Sequence, residues 1–255
     1  MVITQLKAIK WLLVNIGCLE TINIFIEIIL RKPKKHLVKF RFKKRKIRMQ
    51  ICSERTDLAM LTEIFCFESY EIKKEISPKF IVDGGANKGS ATIYFGIKYP
   101  EATIHCYEPN IDLIPILQKN IELNKIRAKV YNQALSDKNG PLFFEKNANH
   151  QYSKITKQNT GLKISTVTLE KKYPNKKIDI LKLDVEGEEN NIIKSLKKSN
   201  IDIIIQEIHY DRVNYKEIKT SLEKNGYKFE KPYPQYHYLN PTKKYPILLA
   251  YKRKI

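Results

Sequence analysis

Cysteine and glycine are both scarce in this chain of 255 residues. It has four cysteines, none of them in a Cys-x-x-Cys pair, and nine glycines. The cysteine spacing excludes a disulfide framework and a thiolate zinc site, and it is typical of a cytoplasmic protein with reduced thiols. Three of the nine glycines lie within residues 84–89, so backbone freedom is concentrated in one short segment.

The chain also lacks an apolar run that is long enough to span a membrane and free of acidic residues. Residues 11–30 have the length of a span, but they include Glu20 and Glu27, and carboxylates are costly in hydrocarbon. The spacing of Glu20, Asn23 and Glu27 places these polar groups on one face of a helix. We therefore expect an amphipathic helix that packs either on the core or on a second copy of the chain in a homodimer.

Acidic residues are absent from residues 31–48, which contain eleven of the 47 lysines and arginines. Within this segment Val38, Phe40 and Phe42 alternate with basic residues, and this period of two predicts a strand with one buried and one cationic face. The cationic face has two interpretations. It is either a solvated strand surface or a binding surface for an anionic lipid head group, glycan or nucleic acid. In the lipid case the cytoplasmic protein associates peripherally with an anionic membrane.

Apolar strand patterns alternate with helical patterns from residue 80 onward. Strands are predicted at 80–83, 103–108, 128–133, 178–184 and 201–207, and a hairpin is predicted near the C-terminal end. Strands that are apolar throughout are typical of a parallel sheet covered by helices on both faces, so the sequence predicts a Rossmann-like α/β fold. We assign this domain to residues 76–255, and residues 1–75 to an N-terminal extension of helix and strand.

Four of the five residues that end these strands are acidic. The five residues are Asp83, Glu108, Gln133, Asp184 and Glu207. Ligands of such folds bind beyond the carboxyl ends of the parallel strands. The sequence therefore predicts a crevice lined with carboxylates in a protein whose net charge is +20.

The segment "DGGANKGS" follows the first of these strands and precedes a predicted helix, so it is expected to bring backbone N–H groups close to a ligand. The spacing matches neither the phosphate-binding G-x-x-x-x-G-K-[ST] motif nor the dinucleotide-binding G-x-G-x-x-G motif. S-adenosylmethionine fits better, because its ammonium and sulfonium groups suit a carboxylate-rich crevice. Asp83 and Asp184 are predicted to hold these cations. The loop residues assigned to the same cofactor site are Gly85, Ala86, Asn87 and Gly89.

The remaining cofactor contacts are predicted from the next two strands. Glu108 ends the second strand, 25 residues after Asp83, the usual neighbourhood for an acid that accepts hydrogen bonds from ribose hydroxyls. The adenine is expected beside the backbone of Ala134 and Leu135.

Four segments resemble the successive motifs of the FkbM-type methyltransferases: "VDGGANKGSATIYF" (82–95), "YEPN" (107–110), "NQALSDKNGPLFF" (132–144) and "ILKLDVEGEE" (180–189). The resemblance covers residues 80–207 and departs from the usual pattern at Gly84 and Glu188. It implies a class I methyltransferase fold with a mostly parallel seven-stranded sheet, and S-adenosylmethionine as the cofactor. It also implies an acceptor hydroxyl on a sugar, a glycan or a glycan precursor, as in polysaccharide biosynthesis.

Methyl transfer to oxygen requires an aligned hydroxyl and a group that takes its proton. The candidate catalytic residues are Asp184, Glu186, Glu207 and His209. His209 is interpreted as the base, with Glu207 orienting it, and the alternative is a surface histidine. Carboxylate and imidazole groups also suit Mg²⁺ or Mn²⁺, but the same residues serve a metal-free reaction, so the metal requirement is left open.

Two other functions compete with this interpretation. The charge of +20 and the basic segment 31–48 fit an RNA methyltransferase, although the chain lacks the [DNS]-P-P-[FYW] motif of base-amine methylation and a Pro-Cys nucleophile, so we expect no nucleic-acid partner. A non-catalytic protein that retains the fold is the second competitor. The acidic residues at four strand ends argue against it.

Overall fold

The computed structural model describes residues 2–145, 154–156, 162–185, 187–196, 200–208, 214–229 and 247–252. The chain begins with two helices, α1 (Val2–Asn15) and α2 (Cys18–Ile29). The single helix expected over residues 11–30 is wrong, because Gly17 adopts φ 105° and interrupts the helical backbone. None of the helices in the described part of the chain has the length and apolar character that crossing a bilayer requires.

The basic segment forms an antiparallel hairpin of β1 (Lys35–Phe42) and β2 (Arg45–Cys52). Lys43 and Lys44 make its two-residue turn with φ values of 45° and 65°, as a tight hairpin requires. The predicted alternation is confirmed: Val38, Phe40 and Phe42 are buried, and the residues between them are exposed. One face of the hairpin therefore belongs to the core, and the other is cationic and faces solvent.

His36 joins β1 to α2 through two carboxylates. Its Nδ1 lies 2.7 Å from Glu20 Oε1, and its Nε2 lies 2.7 Å from Glu27 Oε2. Partial burial lowers the pKa of His36, but Glu27 and Glu20 outweigh that effect, so the net pKa is raised above its ordinary value. The same contact lowers the pKa of Glu27 to about 2. The polar face predicted for this helix thus binds an imidazolium.

The extension continues through α3 (Arg55–Leu61) and a π-helical turn (Thr62–Cys66) before the main sheet begins. Phe65 packs on Phe40 and Phe42, with ring centroids 4.9 and 5.3 Å apart, and Phe42 also contacts Tyr94 of the following domain. The extension and the domain therefore share one hydrophobic cluster. The boundary at residue 75 stays a prediction.

Sixteen further elements follow along the described chain. They are β3 (Phe80–Gly84), α4 (Ser90–Lys98), β4 (Thr103–Tyr107), α5 (Ile114–Asn124), β5 (Ala128–Tyr131), β6 (Ala134–Leu135), β7 (Gly140–Glu145), β8 (Lys154–Thr156), β9 (Leu162–Val167), α6 (Leu169–Lys172), β10 (Ile178–Leu183), α7 (Glu189–Ser195), β11 (Ile201–Glu207), α8 (Tyr215–Lys224), β12 (Tyr227–Phe229) and β13 (Ile247–Lys252).

The main sheet has seven strands in the order β12-β13-β11-β10-β3-β4-β5. The five strands from β11 to β5 are parallel, and β12 and β13 form the predicted antiparallel C-terminal hairpin. Helices α4 and α5 cover one face, and α6, α7 and α8 cover the other. The predicted α/β fold with a mostly parallel seven-stranded sheet is therefore confirmed. A second sheet, in the order β6-β9-β7-β8, lies between β5 and β10 in the chain.

The carboxyl ends of β11, β10, β3 and β4 are neighbours in this order, which brings Glu207, Asp184, Asp83 and Glu108 to one edge of the sheet. Strand β5 ends at Tyr131, two residues before the predicted end at Gln133. Gln133 is partly exposed, and its Nε2 donates to Ser165 Oγ at 3.0 Å.

The ion pairs at His36 give a testable dependence of stability on pH. Because the pKa of His36 is raised in the folded state, its stabilising contribution is complete at acidic pH and is lost as the pH rises through that raised value. We expect His36→Gln to lower the free energy of unfolding by about 1 kcal/mol near pH 6, and by less near pH 9. Urea unfolding at both pH values measures this difference.

His105→Gln is the matched control, because burial lowers the pKa of His105 to about 4 and this histidine is neutral across the same range. An equal loss at both pH values for His36→Gln would contradict the proposed imidazolium.

Candidate active site

The loop between β3 and α4 makes a close backbone contact at Gly85 that only glycine allows. Gly85 has φ 75°, and a Cβ placed on it would lie 1.8 Å from the carbonyl oxygen of Asp184. The N–H groups of Gly85 and Ala86 both donate to the carbonyl oxygen of Tyr107, at 3.0 Å each. The loop is therefore held between the ends of β4 and β10. Asn87 (φ 49°) and Gly89 (φ 92°) complete the turn into α4.

Glu108 lies directly beside this loop. Its Oε2 accepts from the Asn87 N–H and its Oε1 from the Asn110 N–H, both at 2.8 Å. Asn110 has the residue type of a helix N-cap, but α5 begins at Ile114, and the Asn110 side chain accepts from the Asp112 N–H instead. The Asn110 backbone thus positions the predicted ribose acceptor.

Burial raises the pKa of Glu108 from 4.5 to about 7, although both backbone donors and Lys182 act to lower it. A raised pKa means that the folded protein favours the protonated carboxyl. The contribution of Glu108 to stability is therefore complete below pH 4.5 and is lost as the pH rises through about 7. Ionised Glu108 is an energetically costly group that a hydrogen-bonding ligand would stabilise.

A buried ion pair lies beneath the loop. Asp83 accepts from Thr92 Oγ1 at 2.6 Å, and its Oδ1 lies 3.1 Å from Lys182 Nζ. Lys182 also donates to the carbonyl oxygens of Gly84 and Gly85, at 3.2 and 2.8 Å. Asp83 is 0% exposed, so the structure supports a role for it in holding the loop. The predicted direct contact between Asp83 and the cofactor has no such support and stays a prediction.

Lys182 was not among the site residues predicted from the sequence. Its burial lowers its pKa, but Asp83, Asp184 and Glu207 together outweigh that effect and raise it, so the lysine is charged. The sequence does contain a signal for Lys182, namely a lysine within the apolar strand "IDILKLD". Lysine is almost never fully buried unless it is paired, so its position predicts a buried ion pair. Its position at the carboxyl end of a central strand indicates a role in the site.

Asp184 and Glu207 are the other two carboxylates whose charges raise the pKa of Lys182. Asp184 Oδ2 is 3.7 Å from the lysine Nζ and is partly exposed, and Glu207 is buried at the end of β11. The charges of both carboxylates also affect Tyr70, a residue that was not among the site residues predicted from the sequence. Burial and then these two charges raise the pKa of Tyr70 well above its ordinary value, so this hydroxyl is a permanent hydrogen-bond donor. Lys182 Nζ lies 5.9 Å from the centroid of the Tyr70 ring, so the N-terminal extension places a residue beside the site.

Ala134 and Leu135 form the two-residue strand β6, which pairs with β9. Both are buried, and the Leu135 side chain lies so close to Gly84 that a Cβ there would be 2.8 Å from its Cδ1. These residues therefore lie next to the glycine loop. The adenine contact itself stays a prediction.

The loop after β10 is fixed by the carboxylate of Glu189, the first residue of α7. Glu189 is 0% exposed, and it accepts from the N–H groups of Val185 (3.1 Å) and Gly187 (2.9 Å). Glu186, within this loop, and His209, beyond β11, lie outside the described residues. Their catalytic roles stay predictions.

Metal ligation gains no support from the residues that the structure describes. Among them, no three histidine, cysteine, aspartate or glutamate side chains are grouped as a cation site would require. The requirement for Mg²⁺ or Mn²⁺ stays open.

The sequence profile of the methyltransferase FkbM domain matches residues 83–229, which is more than half of the chain. The chain belongs to the FkbM methyltransferase family. It is therefore a methyltransferase, as the resemblance of its motifs implied.

Two curated relatives are also methyltransferases, and a solved structure has a similar fold. Methyltransferase 1 of Beauveria bassiana is 26% identical over 195 residues, which are 65% of this chain and 78% of that protein. Methyltransferase sdnD of Sordaria araneosa is 29% identical over 180 residues, 56% of this chain and 70% of the relative. The fold is similar to the crystal structure of a methyltransferase FkbM from Methylobacillus flagellatus KT, with a TM-score of 0.50, 14% identity, and coverage of 77% of this chain and 53% of that chain.

The glycine loop of this FkbM protein gives a second prediction. Gly85→Ala would place its methyl group on the Asp184 carbonyl, so we expect it to lower the free energy of unfolding by roughly 2–4 kcal/mol. Gly226→Ala is the matched control, because Gly226 has a similar φ of 81° but open space around its Cα. We expect a loss of about 1 kcal/mol there. Equal losses in urea unfolding would show that the close approach to β10 is unimportant.

Proposed function

We propose that this FkbM methyltransferase transfers the methyl group of S-adenosylmethionine to a hydroxyl of a sugar, a glycan or a glycan precursor. The observation that carries the proposal is the arrangement at one sheet edge. Four adjacent parallel strands, β11, β10, β3 and β4, end there in carboxylates around a loop of bare backbone. Such an edge suits a cationic ligand better than a phosphate-bearing one.

The charges of the site support S-adenosylmethionine in particular. Asp184 Oδ2 lies 3.7 Å from the buried Lys182 Nζ, which also pairs with Asp83, and Glu207 acts on the same lysine electrostatically. The carboxylates gathered at this edge would attract the ammonium and sulfonium groups. The ribose hydroxyls would donate to Glu108, whose carboxylate oxygens have lone pairs beyond the two that the backbone engages. Backbone N–H groups at the start of α4 would take the cofactor carboxylate.

The protein itself forms no covalent bond in this reaction. The acceptor oxygen attacks the methyl carbon in line with sulfur, the carbon–sulfur bond breaks, and its electron pair stays on sulfur to give neutral S-adenosylhomocysteine. The hydroxyl proton passes to a base. Asp184 and Glu207 are the described candidates, and His209 with Glu186 are the candidates outside the described residues.

The acceptor class rests on the family resemblance. One structural observation favours the competing RNA substrate, namely the exposed cationic face of the β1–β2 hairpin. A non-catalytic role is disfavoured by the four carboxylates retained at the strand ends, since a scaffold has no need to keep them there.

Cofactor affinity should follow the ionisation of Glu108. Ribose hydroxyls form stronger hydrogen bonds with a charged carboxylate than with a neutral carboxyl group. Cofactor affinity should therefore rise between about pH 6 and pH 8, as Glu108, with a pKa of about 7, loses its proton. The probe is 5′-methylthioadenosine, which has the ribose hydroxyls but neither the amine nor the carboxylate of the full cofactor. Isothermal titration calorimetry across this pH range measures the trend.

Glu108→Gln should weaken binding by about 2 kcal/mol at pH 8, or roughly thirtyfold, and should abolish the trend. Glu101→Gln, at an exposed carboxylate outside the site, is the matched control. Unchanged binding in the Glu108 variant would remove this residue from the cofactor site.

The acceptor class is tested by the release of S-adenosylhomocysteine from S-adenosylmethionine. We expect release with glycan or sugar-nucleotide acceptors and none with transfer or ribosomal RNA. The Gly85→Ala variant should be inactive on every acceptor. Turnover with RNA alone would establish the competing function, and cofactor binding without turnover on any hydroxyl acceptor would favour the non-catalytic one.

A further inference from the structure

Exposed apolar side chains are concentrated in the N-terminal extension. Of the eleven large hydrophobic residues that are exposed in the described part of the chain, nine lie before residue 38. These nine are Leu6, Ile9, Val14, Leu19, Ile22, Ile26, Ile29, Leu30 and Leu37. Exposed hydrophobic residues that are scattered singly are normal, whereas a contiguous apolar surface marks an interaction site.

On α2 these residues form one stripe. Leu19, Ile22, Ile26 and Ile29 follow one another at steps of three, four and three residues, which places them on a single helix face. Exposure along this stripe reaches 81% at Leu19. We call these four residues the α2 stripe.

The α2 stripe cannot turn inward, because the other faces of the helix are occupied. Thr21 and Ile24 are buried against the core, and Thr21 Oγ1 donates to the Leu12 carbonyl oxygen at 3.2 Å. Glu20 and Glu27 are both held by His36. The stripe is therefore a fixed outward surface.

The outer face of the hairpin has an electrostatic cost that a second group would relieve. In the register of β1 and β2, Lys39 lies opposite Arg48 and Arg41 lies opposite Lys46, and all four side chains are exposed. Like charges placed directly opposite across two strands repel and are destabilising. An anionic surface against this face would remove the repulsion.

The apolar and cationic surfaces meet at the end of α2. Ile29 and Leu30 are 72% and 59% exposed, and they are followed at once by the exposed Arg31 and Lys32. Hydrophobic residues next to lysine and arginine are the composition of segments that lie in the interface of an anionic membrane.

We propose that the N-terminal extension docks peripherally on an anionic membrane. The α2 stripe enters the boundary between head groups and acyl chains, and the cations that follow α2 and line the hairpin contact lipid phosphates. A second copy of the chain is the weaker occupant, because segment 31–48 has eleven cations and no acid, so two copies would bring like charges together. RNA would engage the cations but leave the stripe uncovered. The proposal does not depend on the identity of the acceptor.

The test is co-sedimentation of the full chain with vesicles. Phosphatidylcholine vesicles are compared with vesicles in which about one third of the lipid is phosphatidylglycerol, at low and high salt. The first variant is Ile26→Ser with Ile29→Ser, and the second is Lys39→Glu with Arg41→Glu. Lys163→Glu with Lys216→Glu is the control, which makes the same charge change at exposed lysines outside the extension. Circular dichroism verifies that each variant is folded.

We expect salt-sensitive binding to the anionic vesicles alone, weakened about tenfold or more by each variant of the extension and little changed by the control. Three results would overturn the proposal. The first is equal binding by the wild type and the Ile26/Ile29 variant. The second is a wild-type dimer in sedimentation equilibrium that the same variant dissociates, which would assign the stripe to a second copy. The third is no vesicle binding together with RNA binding that only the charge variant weakens.

Discussion

The ion pair of Lys182 with Asp83 is the interaction on which the site depends. It is fully buried, and the lysine also donates to the carbonyl oxygens of Gly84 and Gly85, so one side chain fixes the end of β3 and the start of the glycine loop. Burying two charges is costly unless further hydrogen bonds satisfy them, and here Thr92 donates one to Asp83 Oδ2. Lys182 Nζ also lies 3.7 Å from Asp184 Oδ2, so the pair is part of the acidic end of the sheet.

Much of the fold was predictable, because the central strands are buried on both faces and therefore read as short apolar runs. Strand β11 was predicted at its observed bounds, and β3, β4 and β10 to within one residue. The order of the sheet then brings the acidic strand ends together, as the crevice interpretation requires. The alternation of β1 was equally clear, because a strand with one solvent face shows a period of two.

The sequence could not predict features that depend on tertiary contacts. The helix break at Gly17 has the same apolar composition on both sides, so periodicity did not reveal it. Asn110 has the residue type of a helix cap, yet its backbone is used to hold Glu108. Tyr70 reaches the site from the extension, 114 residues before Asp184, and only the packing of the extension on the domain brings it there. Local propensity contains no information about such distances.

The central claim is that the acidic edge of the sheet receives the positively charged methyl donor. A crystal structure of the complex with S-adenosylhomocysteine tests it most directly. The account predicts ribose hydroxyls within hydrogen-bonding distance of Glu108 and the sulfur atom over the ends of β3 and β10. A ligand bound elsewhere, or an edge closed by the protein's own side chains in the presence of saturating ligand, would contradict it.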